Sequence, residues 1–197
     1  MINFTERLDK AIRISAWAHE QAGQHRKGTD IPYIIHPFGV MIIASNATDD
    51  EDVLIACLLH DVLEDVGDSI YSQEDMLRDF GERVVGIVKD VTKDPNLKDW
   101  HEVSRAYLDH LEHQASDQAV IVSAADKIHN ILSVHTDFDE HGDQLWERFS
   151  TKSADDQLWW YGEISTCVAK REAPQILCDQ LSEQVRLLRT KLGAIHE

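Results

Sequence analysis

The chain has 197 residues, of which 43% are hydrophobic and 28% are charged, a balance typical of a globular protein. Its net charge of −17 argues against a long polyanion such as DNA or RNA as a partner, because like charges repel. A small phosphate ester remains compatible with this charge if a metal ion and a few basic side chains neutralise it locally. The length is sufficient for one sizeable core, so we expect residues 1–197 to form a single domain.

The cysteines and the apolar runs indicate where the chain resides. Cys57, Cys167 and Cys178 form no closely spaced pair, which fits a reducing cytoplasm and argues against a disulfide framework or a zinc ribbon. No apolar run approaches the ~20 residues of a membrane span, and Glu6 and Asp9 are unlike the start of a signal peptide. The sequence therefore predicts a cytoplasmic protein that does not contact a membrane.

Apolar residues recur with helical spacing along the whole chain, and no strand pattern interrupts them. The faces of the first and last helices include Trp17 and Ile176, and one of the predicted loops runs from Asp137 to Gly142. The pattern predicts an all-α bundle of roughly eight to ten helices. The expected helices are 5–21, 36–44, 51–65, 72–80, 84–91, 101–112, 117–134, two around Leu145–Trp146 and Leu158–Tyr161, and 175–192.

One of these helices combines an apolar run with a cluster of ionisable groups. Residues 53–59 are all apolar, which predicts a helix buried on every side, and His60, Asp61, Glu64 and Asp65 follow. If the helix continues through them, His60 lies one turn from Glu64 and Asp61 one turn from Asp65. Buried groups of this kind must be paired, metal-bound or open to a cleft. The alternative is a solvated acidic surface at the helix end.

A second apolar helix repeats this plan. Residues 119–125 are apolar apart from Ser123, and Asp126, His129 and Asn130 follow. Asp126 and Asn130 lie one turn apart on the same face, and His129 is close to that face. Two buried helices that both end in ligand-type residues predict a polar site that they share.

Two shorter features supply further candidates. Arg26 and Lys27 form a local concentration of positive charge in the loop from Gln24 to Tyr33, for which the alternative is a solvated basic turn. His36 precedes Pro37, a residue that favours the first turn of a helix. His36 is therefore either a metal ligand at a helix start or a hydrogen-bonded core histidine.

The candidate metal ligands come from all three of these regions. They are His36, His60, Asp61 and Asp126. Two imidazoles and two carboxylates suit one divalent ion such as Mn²⁺, Fe²⁺ or Zn²⁺, whereas the absence of thiolate argues against a structural zinc site. Such an ion is a Lewis acid that activates water. Glu64 and Asp65 lie one turn further along, where a carboxylate can act as general base on that water.

Four motifs in a fixed order carry a resemblance to a known family. They are Arg26–Pro37, Leu58–Asp65, Phe80–Gly81 with Val91–Thr92, and Ser123–Asn130. With these motifs the chain resembles the HD-domain phosphohydrolases, specifically the hydrolase domain of RelA/SpoT-type enzymes and the small alarmone hydrolases. The similarity extends over roughly residues 10–135, about two thirds of the chain. It implies an HD-domain helical bundle.

The resemblance also implies an activity and a set of roles. In that family the equivalents of the four candidate ligands bind Mn²⁺, and those of Glu64 and Asp65 act on the attacking water. The reaction is hydrolysis of the 3′-pyrophosphate of guanosine tetra- or pentaphosphate, so the expected partner is a small nucleotide. The equivalents of four side chains line the nucleotide site: Arg26, Lys27, Lys127 and Asn130.

Alternatives remain open because parts of the chain depart from the family. The loop between Lys27 and Pro32 and the Trp-rich segment after Leu132 match poorly, and His129 stands where an aromatic residue is common. The same metal site would also suit an adenine alarmone, a nucleoside monophosphate or the 2′-phosphate of NADPH. A third possibility is a nucleotide sensor without turnover. The tryptophans favour a core role over a base-stacking platform, and the oligomeric state is not predicted.

Overall fold

The computed structural model describes residues 3–193. Within this range the chain forms ten α-helices and one 3-10 helix and no strand, so the all-α prediction is confirmed. One isolated backbone bridge joins His25 to Pro32. The helices are α1 (Glu6–Gln21), α2 (Ile35–Ala44), α3 (Glu51–Leu59), α4 (Val62–Asp65), α5 (Gln73–Phe80), α6 (Glu82–Val91), α7 (Trp100–His113), α8 (Asp117–His141), the 3-10 helix (Gly142–Arg148), α9 (Ala154–Lys170) and α10 (Gln175–Gly193).

Local hydrogen bonds fix where several helices begin. The Thr5 hydroxyl accepts from the amide of Leu8 at the start of α1. At the start of α5, Ser72 and Asp75 form a capping box, in which each side chain accepts from the backbone of the other residue. Gly23, with φ of 66°, follows α1 in a conformation that favours glycine. Short-range chemistry therefore sets these boundaries.

The structure corrects the predicted end of α8. The sequence predicts a loop from Asp137 to Gly142, but the helix continues to His141 and a 3-10 helix follows. Phe138 is buried and extends the apolar face of Val134, while Asp139 and Glu140 are exposed. A run of acidic residues thus marks the solvated face of a helix here. Gly142, with φ of 55°, ends the helix.

Two residues predicted to lie on buried helix faces are exposed. Ile176 in α10 is 50% exposed and Trp17 in α1 is 47% exposed. Both lie at the edge of an apolar stripe whose centre is already covered by neighbouring residues such as Leu177 and Ala18, which are fully buried. The periodicity of the sequence predicts which face of a helix is apolar, whereas the packing of neighbouring helices determines how much of that face is buried.

Helices α3 and α8 form the centre of the bundle. Every residue from Val53 to Leu59 is buried, as the apolar run predicts. Helix α8 contacts α2, α3, α6, α9 and α10, so it spans the whole core. None of the helices among residues 3–193 is both long and apolar enough to cross a membrane. The two predicted buried helices therefore meet in the core.

Candidate metal centre

The helix that carries His60 and Asp61 is interrupted at these two residues. The sequence predicts one helix through Asp65, but α3 ends at Leu59 and α4 begins at Val62. Adjacent residues of a regular α-helix project about 100° apart. At the interruption His60 Nε2 and Asp61 Oδ2 lie 3.1 Å apart and face the same point. Asp61 still lies one turn from Asp65, because the Asp65 amide donates to the Asp61 carbonyl oxygen at 2.8 Å.

The other two candidate ligands come from α2 and α8. His36 Nε2 lies 3.2 Å from His60 Nε2 and 3.3 Å from Asp61 Oδ2. Asp126 Oδ1 lies 3.2 Å from His36 Nε2 and 3.8 Å from His60 Nε2. His36, His60 and Asp126 offer ligand atoms that all lie within 4.8 Å of one another, and Asp61 Oδ2 lies within 3.3 Å of both imidazoles. The structure thus brings all four predicted ligands to one place.

The spacing and tautomers of these groups fit a metal ion. Ligand atoms about 2.1 Å from one ion lie about 3.0–3.4 Å apart at right or tetrahedral angles, as most of these pairs do. His60 Nδ1 lies 2.8 Å from the carbonyl oxygen of Cys57, which accepts its proton and leaves the Nε2 lone pair free. The donor set therefore matches a divalent cation held by nitrogen and oxygen atoms.

The electrostatics of the cluster point the same way. Burial disfavours the charged imidazole of His60, but the carboxylates of Asp61 and Asp126 outweigh this effect and raise its pKa to about 10. Burial likewise opposes ionisation of Asp126, but Lys127 and the two histidines hold its pKa well below its usual value. Two carboxylates and two imidazoles at this distance require positive charge between them, as a proton or as a cation.

Side chains of the second layer orient the two carboxylates. The Tyr33 hydroxyl donates to Asp61 Oδ2 at 2.7 Å. Asn130 Nδ2 donates to Asp126 Oδ1 at 2.5 Å, and the ammonium of Lys127 binds Asp126 Oδ2. The Lys127 ammonium also lies 5.2 Å from the ring centre of Tyr107. Lys127 and Asn130, which the sequence predicts to line a nucleotide site, therefore hold the candidate ligand Asp126 in place.

A cavity of about 730 Å³ opens over the candidate ligands. Lys127 and Asn130 border it, and so do Arg26 and Lys27 from the loop after α1. The Arg26 guanidinium donates to Asn130 Oδ1 at 3.1 Å and to the Ser133 hydroxyl at 3.3 Å. The Lys27 ammonium lies 5.2 Å from the ring centre of Phe149. The basic loop is thus held against α8 and the segment after it.

Glu64 and Asp65 lie at the cavity mouth in different surroundings. The Glu64 carboxylate accepts from the ammonium of Lys93 at 2.8 Å and from the Lys93 amide at 3.2 Å. Loss of water around Asp65, together with the charges of Asp61 and Glu64, raises the pKa of Asp65 to about 6, although the residue keeps exposed surface. One carboxylate is fixed by a cation, and the other is poised to exchange a proton near neutral pH.

Sequence reasoning assigned no role to several residues of the cavity, among them Tyr33, Lys93 and Arg148. Tyr33 lies within the motif Arg26–Pro37 and Lys93 directly follows Val91–Thr92, so a polar residue in or next to a motif was the available signal. Arg148 belongs to the 3-10 helix, where its guanidinium lies 3.3 Å from Asp137 Oδ2. Nothing local marks Arg148, because its approach to the cavity depends on how the 3-10 helix packs. Trp160 and Tyr161 are buried, as predicted, and also border the cavity.

Comparison with protein families and curated proteins gives a consistent result. The HD domain family model matches residues 11–153. The guanosine-3′,5′-bis(diphosphate) 3′-pyrophosphohydrolase of Aquifex aeolicus is 33% identical over 133 residues, which cover 67% of this chain and 19% of that protein. The MESH1 enzyme of the same name from Xenopus tropicalis is 38% identical over 125 residues, covering 62% of this chain and 66% of that protein. The chain thus spans a small part of the first relative and just under two thirds of the second.

Solved structures agree with these matches. A metazoan ortholog of SpoT, described as hydrolysing ppGpp, superposes with a TM-score of 0.77 at 27% identity and covers 95% of this chain and 98% of its own. The lmo0812 protein of Listeria monocytogenes EGD-e superposes with a TM-score of 0.68 at 25% identity, covering 81% of this chain and 99% of its own. Family match, fold and the His-His-Asp cluster concur, and the chain belongs to the HD domain family.

Proposed function

We propose that this protein is a metal-dependent hydrolase that removes the 3′-pyrophosphate of guanosine tetra- or pentaphosphate. One observation carries the proposal: two imidazoles and two carboxylates converge beneath a cavity whose walls present several cations. The names of the relatives from Aquifex aeolicus and Xenopus tropicalis support the choice of substrate. The metazoan SpoT ortholog, described as hydrolysing ppGpp, supports it with a similar fold over nearly the whole chain.

The proposed ligands are His36, His60, Asp61 and Asp126, and they would hold one divalent ion. Mn²⁺ is the ion we favour, because a mixed set of nitrogen and oxygen ligands suits it, and Fe²⁺ or Zn²⁺ would also fit this set. When bound, the ion supplies Lewis acidity that polarises a phosphoryl oxygen and makes water a better nucleophile. Tyr33 and Asn130 keep the two carboxylates in place by donating hydrogen bonds to them.

Proton transfer is the proposed task of Glu64 and Asp65. Water attacks the phosphorus atom attached to the 3′-oxygen, and a carboxylate at the cavity mouth takes a proton from the water. The phosphorus–oxygen bond breaks, and the 3′-oxygen leaves with the electron pair and takes up a proton from solvent to become the 3′-hydroxyl. Lys93 fixes the Glu64 carboxylate through two hydrogen bonds, which restricts its orientation. Asp65, with its pKa raised to about 6, is suited to pass that proton to solvent.

Arg26 and Lys27 are proposed to bind the nucleotide. Both border the cavity, and the Arg26 guanidinium lies 5.8 Å from the ring centre of Tyr33. A guanidinium can bind phosphate through several donors or stack on a base, and neither role requires contact with the attacking water. Lys127 and Asn130 have the same proposed role at the cavity floor. Local positive charge is needed because the net charge of −17 repels an anionic substrate.

The remaining features of the proposal concern the whole chain. We propose that residues 1–197 form one domain, which the contacts of α8 with five other helices support. A reducing compartment such as the cytoplasm suits the free cysteines, of which Cys57 and Cys167 are buried. A small nucleotide is the expected partner, and the strong negative charge argues against nucleic acid.

A panel of nucleotides tests the substrate. Purified protein is incubated with Mn²⁺ and, separately, with guanosine tetraphosphate, its adenine counterpart, a nucleoside monophosphate and NADPH, and pyrophosphate and phosphate are measured. Pyrophosphate from the guanine alarmone is the expected product. Release of only orthophosphate from NADPH or a monophosphate would assign the site to the corresponding ester, and tight binding without any product would indicate a sensor.

Reaction in ¹⁸O-labelled water tests the direction of attack. Because the water oxygen bonds to phosphorus, the label should appear in the released pyrophosphate. Label in the 3′-hydroxyl of the nucleotide would mean that water attacks carbon, and the proposed proton transfer would then be wrong. A double variant, Glu64→Gln with Asp65→Asn, serves as the control for uncatalysed hydrolysis.

A further inference from the structure

His129 lies directly behind the candidate ligand His36. His36 turns its Nε2 atom toward His60 and the two carboxylates, and its Nδ1 atom lies 3.0 Å from Nδ1 of His129. The two rings meet edge to face, with their centres 4.9 Å apart and their planes at 63°. His129 belongs to α8, whose residue Asp126 supplies another ligand one turn earlier. The imidazole of His129 therefore contacts His36 on the side opposite the other candidate ligands.

The chemistry of imidazole assigns the proton in this pair. A neutral imidazole carries one proton, and a nitrogen that lends its lone pair to a cation leaves that proton on the other nitrogen. His36 would therefore carry its proton on Nδ1 and donate it to Nδ1 of His129. His129 must then accept at Nδ1 and carry its own proton on Nε2.

His60 provides a comparison within the same site. Its Nδ1 atom donates to the carbonyl oxygen of Cys57 at 2.8 Å, so a backbone group fixes that ring. A backbone acceptor cannot be lost by substitution, whereas the acceptor behind His36 is a side chain. The two ligand histidines thus differ in what orients them, and only one of them depends on another side chain.

Gly39 of α2 leaves the space that His129 occupies. A Cβ atom at position 39 would overlap the Cδ2 and Nε2 atoms of the His129 ring. Glycine is a poor helix former, and α2 nevertheless has one in the turn that follows His36. Gly39 and His129 form a matched pair in which the missing side chain of one admits the ring of the other.

We propose that His129 is a positioning residue that accepts the Nδ1 proton of His36 and so fixes the tautomer and orientation of this ligand. The inference rests on the proposed metal site and adds to it a residue without which the site binds its ion weakly. Groups that orient a metal-bound histidine typically affect metal affinity by about 10–100-fold. Gly39 is required because it admits the ring.

Metal titration of the metal-free protein tests the inference without any measurement of activity. Mn²⁺ binding is measured by calorimetry for the natural protein and for His129→Leu and His129→Asn. Leucine fills the space but accepts no hydrogen bond, so affinity should fall by about 10–100-fold. Asparagine offers an oxygen near the position of Nδ1, so His129→Asn should keep most of the Mn²⁺ affinity. His135→Leu, on the same helix and bonded only to the carbonyl oxygen of Gln184, is the matched control and should bind normally.

Gly39→Ala gives a second, independent measurement. The added methyl group displaces the ring, so Mn²⁺ affinity should fall about as much as in His129→Leu. In a His129→Ala background the ring is gone, and Gly39→Ala should then cause no further loss. The absorption spectrum of bound Co²⁺ should change in His129→Leu and stay unchanged in His135→Leu. Only the first substitution removes the group that orients the ligand His36.

The outcomes separate this inference from the proposed function. Failure of the natural protein to bind Mn²⁺ or Co²⁺ would overturn the metal site itself. Normal binding by His129→Leu, alongside normal binding by the natural protein, would overturn the role of His129 and leave the site intact. Equal losses in the asparagine and leucine variants would show that a hydrogen-bond acceptor at position 129 does not restore affinity, which also contradicts the inference.

Discussion

The segment α3–α4 and helix α8 both bring ligands to the centre from the core, but they do so by opposite means. In α3–α4 the helix stops at the ligands, between Leu59 and Val62. In α8, which is 25 residues long, the helix runs unbroken through Asp126. The sequence of each is an apolar run followed by polar groups, so the local pattern alone does not distinguish them.

The spacing of the functional residues also differs between the two. His60 and Asp61 are adjacent, a spacing that directs side chains about 100° apart in a regular helix, and the helix is interrupted at these two residues. Asp126 and Asn130 are four residues apart, which places them on one face only if the helix continues. Asn130 then donates to Asp126 at 2.5 Å. The interruption thus coincides with two adjacent candidate ligands, whereas the continuous helix carries polar residues one turn apart.

The largest expected effects come from removing one carboxylate on each side of this comparison. Asp61→Ala and Asp126→Ala should each leave the protein without bound metal, as measured by elemental analysis of protein purified without chelator. Asp126→Ala should also destabilise the fold by about 3–5 kcal/mol, because it leaves the buried ammonium of Lys127 unpaired. Asp109→Ala, at a side chain that is 69% exposed, is the control. Full metal occupancy in Asp61→Ala would contradict the ligand assignment.

Glu64→Gln probes the broken segment without disturbing the ligands. The amide oxygen can still accept from Lys93, so the shape of the site is kept while the base is lost. We expect kcat to fall by roughly 10²–10⁴ with unchanged metal content. Steady-state kinetics with metal measured on the same samples will test this. A near-normal kcat would transfer the role of general base to Asp65 or to the metal alone.

Arg26→Ala tests the contact between the basic loop and α8. Arg26 donates to Asn130 and Ser133 of α8 and not to the proposed ligands, Glu64 or Asp65, so its contacts with the nucleotide should be equal in the ground and transition states. We expect KM to rise by about 10–100-fold with kcat nearly unchanged, because the variant loses one or two charged hydrogen bonds to the nucleotide. A fall in kcat of similar size would place Arg26 in the chemical step.

The pH dependence of metal binding, expressed per pH unit, should be the smallest of these effects. In the metal-free protein Asp61 and Asp126 raise the pKa of His60 to about 10, so at neutral pH a metal ion must displace a proton. Apparent affinity should therefore rise with pH, by up to about tenfold per unit for one displaced proton, and level off near pH 10. Calorimetry in buffers of different ionisation enthalpy measures the proton released. Binding without proton release would mean that His60 is already neutral.

Much of the fold was predictable because its causes are local. The Ser72 cap of α5, the start of α3 at Glu51 and the burial of residues 53–59 all follow from side chains within one or two turns. The end of α8 was not predictable, because the burial of Phe138 depends on its surroundings in the folded chain. Acidic residues such as Asp139 on the opposite face made this turn resemble a loop.

The sequence by itself determined the helical class, most helix boundaries and the four candidate ligand types, since periodicity, capping and metal preference are properties of individual residues and near neighbours. Tertiary structure decided the helix interruption at His60 and Asp61, the hydrogen bond of Lys93 to Glu64 and the contact of His129 with His36. The physical reason is the same in each case. The contact of Lys93 with Glu64 joins residues that are 29 positions apart in the sequence, and the contact of His129 with His36 joins residues that are 93 positions apart. Their geometry exists only after the helices have packed together.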